Sequence, residues 1–239
     1  MRHSAILLIV TAAVLNVTLT GCNHQIQQED QEGAVSIQAT IEADCIVHYF
    51  KTNASAYITQ QQHGYNPEAG LFQATSTEPV GTVQCSLVQD VFESSGQKKG
   101  ALSDLPGSFW NKDLATILFY VFCGGGNLLD THSMTTGENV KIEGQWYKPF
   151  TPAWPTDMKV TLLQSLDSSR IERVQLSDSQ NGLTWLADCY NHRYSKELNE
   201  RVPRTIDVFD IRNGVASKER MVRFDYKEIR KITWPEKQN

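Results

Sequence analysis

The second half of the chain is a succession of segments with strand periodicity and almost no room between them. The candidates are VKIEGQWY (140–147), MKVTLLQS (158–165), RIERVQLS (170–177), LTWLADCY (183–190), RTIDVFDI (204–211) and RMVRFDYKEI (220–229), mostly separated by clusters of Pro, Asn, Asp, Ser and Gly. A parallel pair needs a crossover of about a dozen residues or more, so these connections force antiparallel neighbours. The expected class is α+β, mostly β: a strongly curved antiparallel sheet or incomplete barrel covered by one or more helices.

One hairpin can be registered from its turn. Asn181-Gly182 is a favoured pair for a two-residue type I′ turn, which would oppose Asp178 to Trp185, Leu176 to Ala187 and Val174 to Cys189. One face then collects Val174, Leu176, Leu183, Trp185, Ala187 and Cys189; the other takes Arg173, Gln175, Ser177, Thr184, Asp188 and Tyr190, with Leu186 as its apolar exception. At Asn213-Gly214 a two-residue loop would split Ile206 and Val208 from Val222, Phe224 and Tyr226. Burying all five together requires an odd loop or a bulge.

The first half is less regular. Val35, Ile37, Ala39 and Ile41 alternate with polar residues, CIVHYF (45–50) continues in β-forming residues, and a third strand is expected at 80–88. Residues 53–78 carry no usable pattern. Helical spacing is concentrated at 111–123, where Leu114, Ile117, Leu118, Val121 and Phe122 share a stripe behind Asn111 as N-cap and Asp113 in the first turn. Gly124, Gly125 and Gly126 stop that helix; a phosphate loop would precede a helix instead. A sheet with one apolar face must be covered, and this helix is the cover available.

The amino-terminal run 4–19 is apolar behind Arg2, but at 16 residues it is shorter than the ~20 that span a bilayer. It has the shape of an export signal. Leu19-Thr20-Gly21-Cys22 resembles a bacterial lipobox, which implies cleavage after Gly21 and a diacylglyceryl group on the Cys22 sulfur. Residues 1–21 are therefore expected to be a lipoprotein signal peptide, 22–33 a polar flexible tether, and 34–239 a single domain held at a membrane through acyl chains. The location is the cell envelope outside the cytoplasm, and Asn23 after the cysteine favours the outer membrane where there are two. Net charge is -5, against the basic surface that a nucleic-acid binder needs.

Four cysteines remain outside the cytoplasm: Cys45, Cys85, Cys123 and Cys189. They allow three pairings or four buried thiols. If the helix covers the sheet, Cys123 can approach Cys189, which leaves Cys45 with Cys85.

Enzyme signatures for nucleophile elbows, zinc-dependent hydrolysis, phosphate loops and dinucleotide binding are absent from the sequence, and no cofactor is implied. CYNH (189–192) and DTH (130–132) are the compact sets of ligating groups, yet a strand sends Cys189 and His192 to opposite faces, so no metal site is expected. Asp207, Asp210 and Asp225 read as solvated strand positions, and Trp146, Trp154 and Trp185 as packing or ligand-stacking residues.

The order of tether, strands, helix and long antiparallel strands resembles the lipoprotein localisation factors of the LolA/LolB type. The resemblance rests on residues 140–214, where a strand pair is followed by RVPRTIDV (201–208). It implies a curved, incomplete barrel whose helices enclose an apolar cavity for acyl chains. Carried onto this chain, the cavity wall would be Ile142, Trp146, Val160, Leu162, Val174, Trp185, Ile206, Val208, Val222 and Phe224, and GLF (70–72) would be the counterpart of an exposed apolar loop. The expected activity is non-enzymatic binding of a lipid or lipoprotein acyl chain. An envelope scaffold with a filled core and an extracytoplasmic hydrolase are the rivals; oligomeric state is open.

Overall fold

The computed structural model describes residues 37–51, 54–76, 83–88, 91–96, 111–126, 128–129, 134–153, 158–178, 182–211 and 220–232. The signal peptide, Cys22 and the tether expected from the sequence lie outside them, as do Val35, His132, Trp154 and the turns at 181 and 213–214. The described residues belong to a compact unit that starts at Ile37.

Along the chain the elements are β1 (Ile41–Lys51), β2 (Ala54–Asn66), β3 (Leu71–Ser76), β4 (Val83–Val88), β5 (Val91–Gly96), α1 (Lys112–Gly125), β6 (Thr135–Thr136), β7 (Val140–Ile142), β8 (Gln145–Thr151), β9 (Lys159–Ser165), β10 (Ile171–Asp178), β11 (Gly182–Tyr190), β12 (Arg193–Ser195), β13 (Glu200–Val202), β14 (Thr205–Asp210) and β15 (Val222–Lys231). Among the described residues thirteen strands form one sheet in the order β5-β4-β3-β2-β1-β15-β14-β11-β10-β9-β8-β6, with β7 also paired to β8. Neighbours are antiparallel throughout. Two meanders, β1 to β5 and β8 to β11, are joined because the carboxy-terminal strands β14 and β15 insert between them. Among the described residues the two edges do not pair with each other, so the sheet is not closed into a barrel.

The curvature follows from what α1 touches. The helix contacts β5, β4 and β3 in one arm of the sheet and β9, β10 and β11 in the other. On a flat sheet β5 and β9 would stand nine strand spacings apart, about 43 Å, whereas a helix is only about 10–12 Å across. The sheet is therefore wrapped around the helix. Leu114 to Gly125 are all buried, and a helix that is apolar on every side belongs in a core.

The helix boundaries match the sequence reading closely. Asn111 is extended (φ -132°, ψ 169°) and its side-chain oxygen accepts from the Leu114 amide at 2.8 Å, satisfying one of the otherwise unpaired first-turn donors. At the other end the helix runs through Gly124 and Gly125 and is capped by Gly126, whose amide donates to the Phe122 carbonyl.

Several strand expectations change. The first strand starts at Ile41, after Ile37 and Ala39, and runs unbroken through CIVHYF; Thr40 donates its amide to the Tyr65 carbonyl at 2.8 Å. The unassigned stretch 53–78 holds β2 and β3, and β5 was not anticipated. VKIEGQWY is a hairpin and not one strand: Glu143 (φ 51°) and Gly144 (φ 90°) form a two-residue turn with both φ positive, and Ile142 pairs with Gln145.

The β10–β11 register also shifts. Val174 pairs with Ala187, Leu176 with Trp185 and Asp178 with Gly182, so three residues lie in the loop and Thr184 is an extra residue at a bulge. Thr184 is consequently buried and donates its hydroxyl to the Leu176 carbonyl at 3.0 Å. Up to the bulge the face assignment survives, because the slip is by two and side-chain parity has period two: Val174, Leu176, Trp185, Ala187 and Cys189 are buried, whereas Leu183, expected on that face, lies past the bulge, pairs with Ser177 and is only half-buried. In β14–β15, Ile206 pairs with Phe224 and Val208 with Val222, and both pairs are buried together with Tyr226. This is the register that the odd-loop argument requires.

Candidate ligand-binding site

The inner face of the sheet and α1 together form the apolar interior. Of the ten residues expected to line a cavity, Val160, Leu162, Val174, Trp185, Ile206, Val208, Val222 and Phe224 lie there, each at most 3% exposed. Ile142 and Trp146 do not. The turn at Glu143-Gly144 reverses their relation: Ile142 stands opposite Gln145 on the outer face, while Trp146 stands opposite Lys141. Trp146 is 49% exposed, with the Lys141 ammonium 5.9 Å from its ring. The GLF segment is not an exposed loop, since Leu71 and Phe72 open β3 and are buried.

The glycines after Phe122 set how closely the helix end seats on the sheet. A Cβ on Gly124 would come to 3.1 Å of Leu162, on Gly125 to 3.1 Å of Pro203, and on Gly126 to 2.7 Å of Val202. A side chain there would push the helix off its wall. At the other end the Trp185 indole N–H donates to the Asp113 carboxylate at 3.4 Å, tying the first helical turn to β11.

All four described cysteines are buried free thiols. The expected pairs are not formed, for geometric reasons. Cys45 on β1 and Cys85 on β4 are three strand spacings apart, about 14 Å, beyond the ~7 Å that a disulfide spans between α-carbons. The Cβ direction of Gly125 meets the Cys189 sulfur at 3.7 Å, and Cys123, two residues earlier, points about 200° round the helix from it. Burial pushes all four thiols well above their ordinary range, which suits packing and weakens them as nucleophiles.

One strand of this interior is polar. β2 turns Thr59, Gln61, His63 and Tyr65 inward, all buried, while Ile58 is 55% exposed on the other face. Hydrogen bonds link Gln61, His63 and Tyr65 into a directed chain, while Thr59 pairs separately with Ser76. His63 Nε2 lies 3.0 Å from Gln61 Oε1, an acceptor, so Nε2 carries the ring proton. Burial holds the imidazole neutral, with its pKa lowered to about 3, and Nδ1 accepts from the Tyr226 hydroxyl at 3.0 Å. Tyr65 then donates to Tyr226 at 2.7 Å. In the other direction the Gln61 amide donates to the Tyr49 hydroxyl at 3.1 Å, and the Thr59 and Ser76 hydroxyls meet at 3.1 Å. Rings surround the chain: Phe72 and Phe224 lie 5.4 and 5.6 Å from His63, and Tyr65 stacks on Phe122 of the helix at 4.1 Å. Sequence reasoning missed these residues because a polar inward face opposite Ile58 erases the hydrophobic contrast; the β-forming triplet Tyr57-Ile58-Thr59 was the remaining signal.

The outer face carries charge in register. Arg173, Asp188, Asp207, Arg223 and His48 are successive partners across β10, β11, β14, β15 and β1. Asp207, expected at a solvated position, is buried; Arg223 reaches it at 2.8 and 3.0 Å, Arg220 at 2.7 Å and the Tyr190 hydroxyl at 2.6 Å. Asp225 lies 3.2 Å from His48 Nε2. His192 is half-buried, and burial lowers its pKa, with Arg170 adding to the effect. Among the described residues no group of three or more His, Cys, Asp or Glu side chains is placed to hold a metal.

No family model matches the sequence, and no curated protein matches it. Solved structures do. A LolA superfamily protein from Nitrosomonas europaea superposes with a TM-score of 0.51 at 15% identity, over 84% of this chain and 89% of that one. The fold is that of the LolA superfamily. A domain assigned to outer membrane lipoprotein sorting, from Vibrio parahaemolyticus, superposes with a TM-score of 0.50 at 11% identity, over 82% of this chain and 87% of that one. The LolA-like architecture expected from the strand order is thus present: a large open antiparallel sheet around a helix.

Proposed function

We propose that the protein is a lipid-anchored, non-enzymatic component of the bacterial envelope that takes an acyl chain between the inner face of its LolA-like sheet and α1. The observation that carries this reading is the enclosed helix. An open sheet surrounds an apolar helix through side-chain packing, so the two layers can part without breaking a strand pairing, and the surface then uncovered is apolar. Each methylene buried there contributes about 0.8 kcal/mol. Val160, Leu162, Val174, Trp185, Ile206, Val208, Val222 and Phe224 supply the wall. Cys22 of the lipobox carries the anchor, at the outer membrane in a two-membrane envelope, and the sorting role named for the Vibrio domain agrees with a lipoprotein acyl chain as cargo.

The near-complete burial of those eight residues favours a second reading, an envelope scaffold whose interior is filled. The two are separated by stripping lipid from the full chain, adding a fluorescent monoacylglycerol, and recording native mass spectra. The acyl-chain reading expects near-stoichiometric uptake; uptake at background would leave the scaffold.

A further inference from the structure

The inward polar strip of β2 is a costly feature in an interior that needs only to fill space. Buried polar groups lower stability unless every one is matched, and the LolA-like wall around it is otherwise apolar. The strip also has a direction. Tyr65 and Tyr226 pack against Phe122 of α1 at 4.1 and 5.3 Å, so this end borders the apolar interior. Gln61 and Thr59 continue along β2 from the other side of His63, with Tyr49 of β1 bonded to Gln61. Hydroxyl, amide and imidazole groups are the strip's whole chemistry, and it contains no carboxylate, ammonium or guanidinium.

Resting on the acyl-chain reading, we propose that Thr59, Gln61, His63, Tyr49, Tyr65 and Tyr226 form a head-group subsite for amphiphiles with an uncharged, hydrogen-bonding head, of the acylglycerol type, and that the chain of the ligand lies toward α1. An ester or hydroxyl head exchanges hydrogen bonds with hydroxyls and amides at little cost. A carboxylate or a quaternary ammonium brought to the same place would be buried with no counter-charge among the strip's own groups. The subsite therefore selects by charge, while the apolar wall selects by chain.

The test uses the delipidated full chain and three probes that share one saturated acyl or alkyl chain: a monoacylglycerol, the fatty-acid carboxylate at mildly alkaline pH, and the alkyltrimethylammonium. The hydrocarbon fluorophore diphenylhexatriene serves as a head-free control. The monoacylglycerol is expected to bind about tenfold or more tightly than either ion. In Gln61→Leu the monoacylglycerol should weaken about tenfold while diphenylhexatriene binding holds. Tyr226→Phe, which removes one hydroxyl from the chain and no volume, should give a smaller loss in the same direction and serves if Gln61→Leu does not fold. Equal affinity for the three heads, or preference for an ion, overturns the subsite and leaves the acyl-chain reading standing. Failure of every probe to bind overturns both.

Discussion

β2 and β15 flank β1 on either side and face the same interior with opposite chemistries. β15 presents Val222, Phe224 and Tyr226, a mostly apolar strip whose packing is non-directional. β2 presents Thr59, Gln61, His63 and Tyr65, which hold their places by matching donors to acceptors. The difference shows how one sheet can support two kinds of interior. An apolar strip fails gradually, by volume lost; a polar strip fails in steps, because each missing partner leaves another buried group unpaired.

The largest effect expected from this contrast is on the apolar side. Phe224 is fully buried, so Phe224→Ala should lower unfolding free energy by about 3–5 kcal/mol in urea titrations. A comparable loss should come from the polar strip by acid alone. His63 has an ordinary pKa of 6.5 and is held at about 3 in the fold, so below pH 6.5 the unfolded chain takes up a proton that the folded chain refuses. Stability is then full above that pH and falls toward pH 3, by about 4 kcal/mol over the interval. A His63→Gln variant should lack this decline, and urea midpoints measured across the same pH range would reveal it.

Smaller effects sharpen the comparison. Tyr226→Phe keeps the ring and removes the hydroxyl that donates to His63, with an expected cost of about 1–2 kcal/mol by thermal or urea unfolding. Ile58→Thr, on the outer face of β2, should change stability by less than about 0.5 kcal/mol. A large loss there would mean that Ile58 and not the polar strip carries the packing of β2.

The contrast also explains what the sequence disclosed. Strands β9, β10, β11, β14 and β15 were legible because Val160, Val174, Trp185, Val208 and Phe224 alternate with polar residues, and α1 because its apolar stripe sits between Asn111 and the glycine run; the short pair β12 and β13 was not anticipated. Eight wall residues followed from that parity. Ile142 and Trp146 were misplaced since Glu143-Gly144, a tight turn without an Asn or a second Gly, reads as strand interior. β2 was illegible for a deeper reason: its inward residues are mostly polar and its outward ones are Ile58, Gln60 and Gln62, so the contrast that marks a half-buried strand is erased. Hydrogen-bond partners distant in sequence, such as Tyr226 for His63, decide that strand, and a local reading does not contain them.

The central claim is that α1 is a removable cover over an apolar wall. Amide hydrogen exchange of the delipidated full chain, with and without a monoacylglycerol, addresses it directly. The account predicts that α1 amides exchange through an opening cheaper than global unfolding, faster than those of β10 and β11, and that ligand slows them selectively. Helix amides that exchange only with the β10–β11 core, at a rate unchanged by ligand, would contradict it.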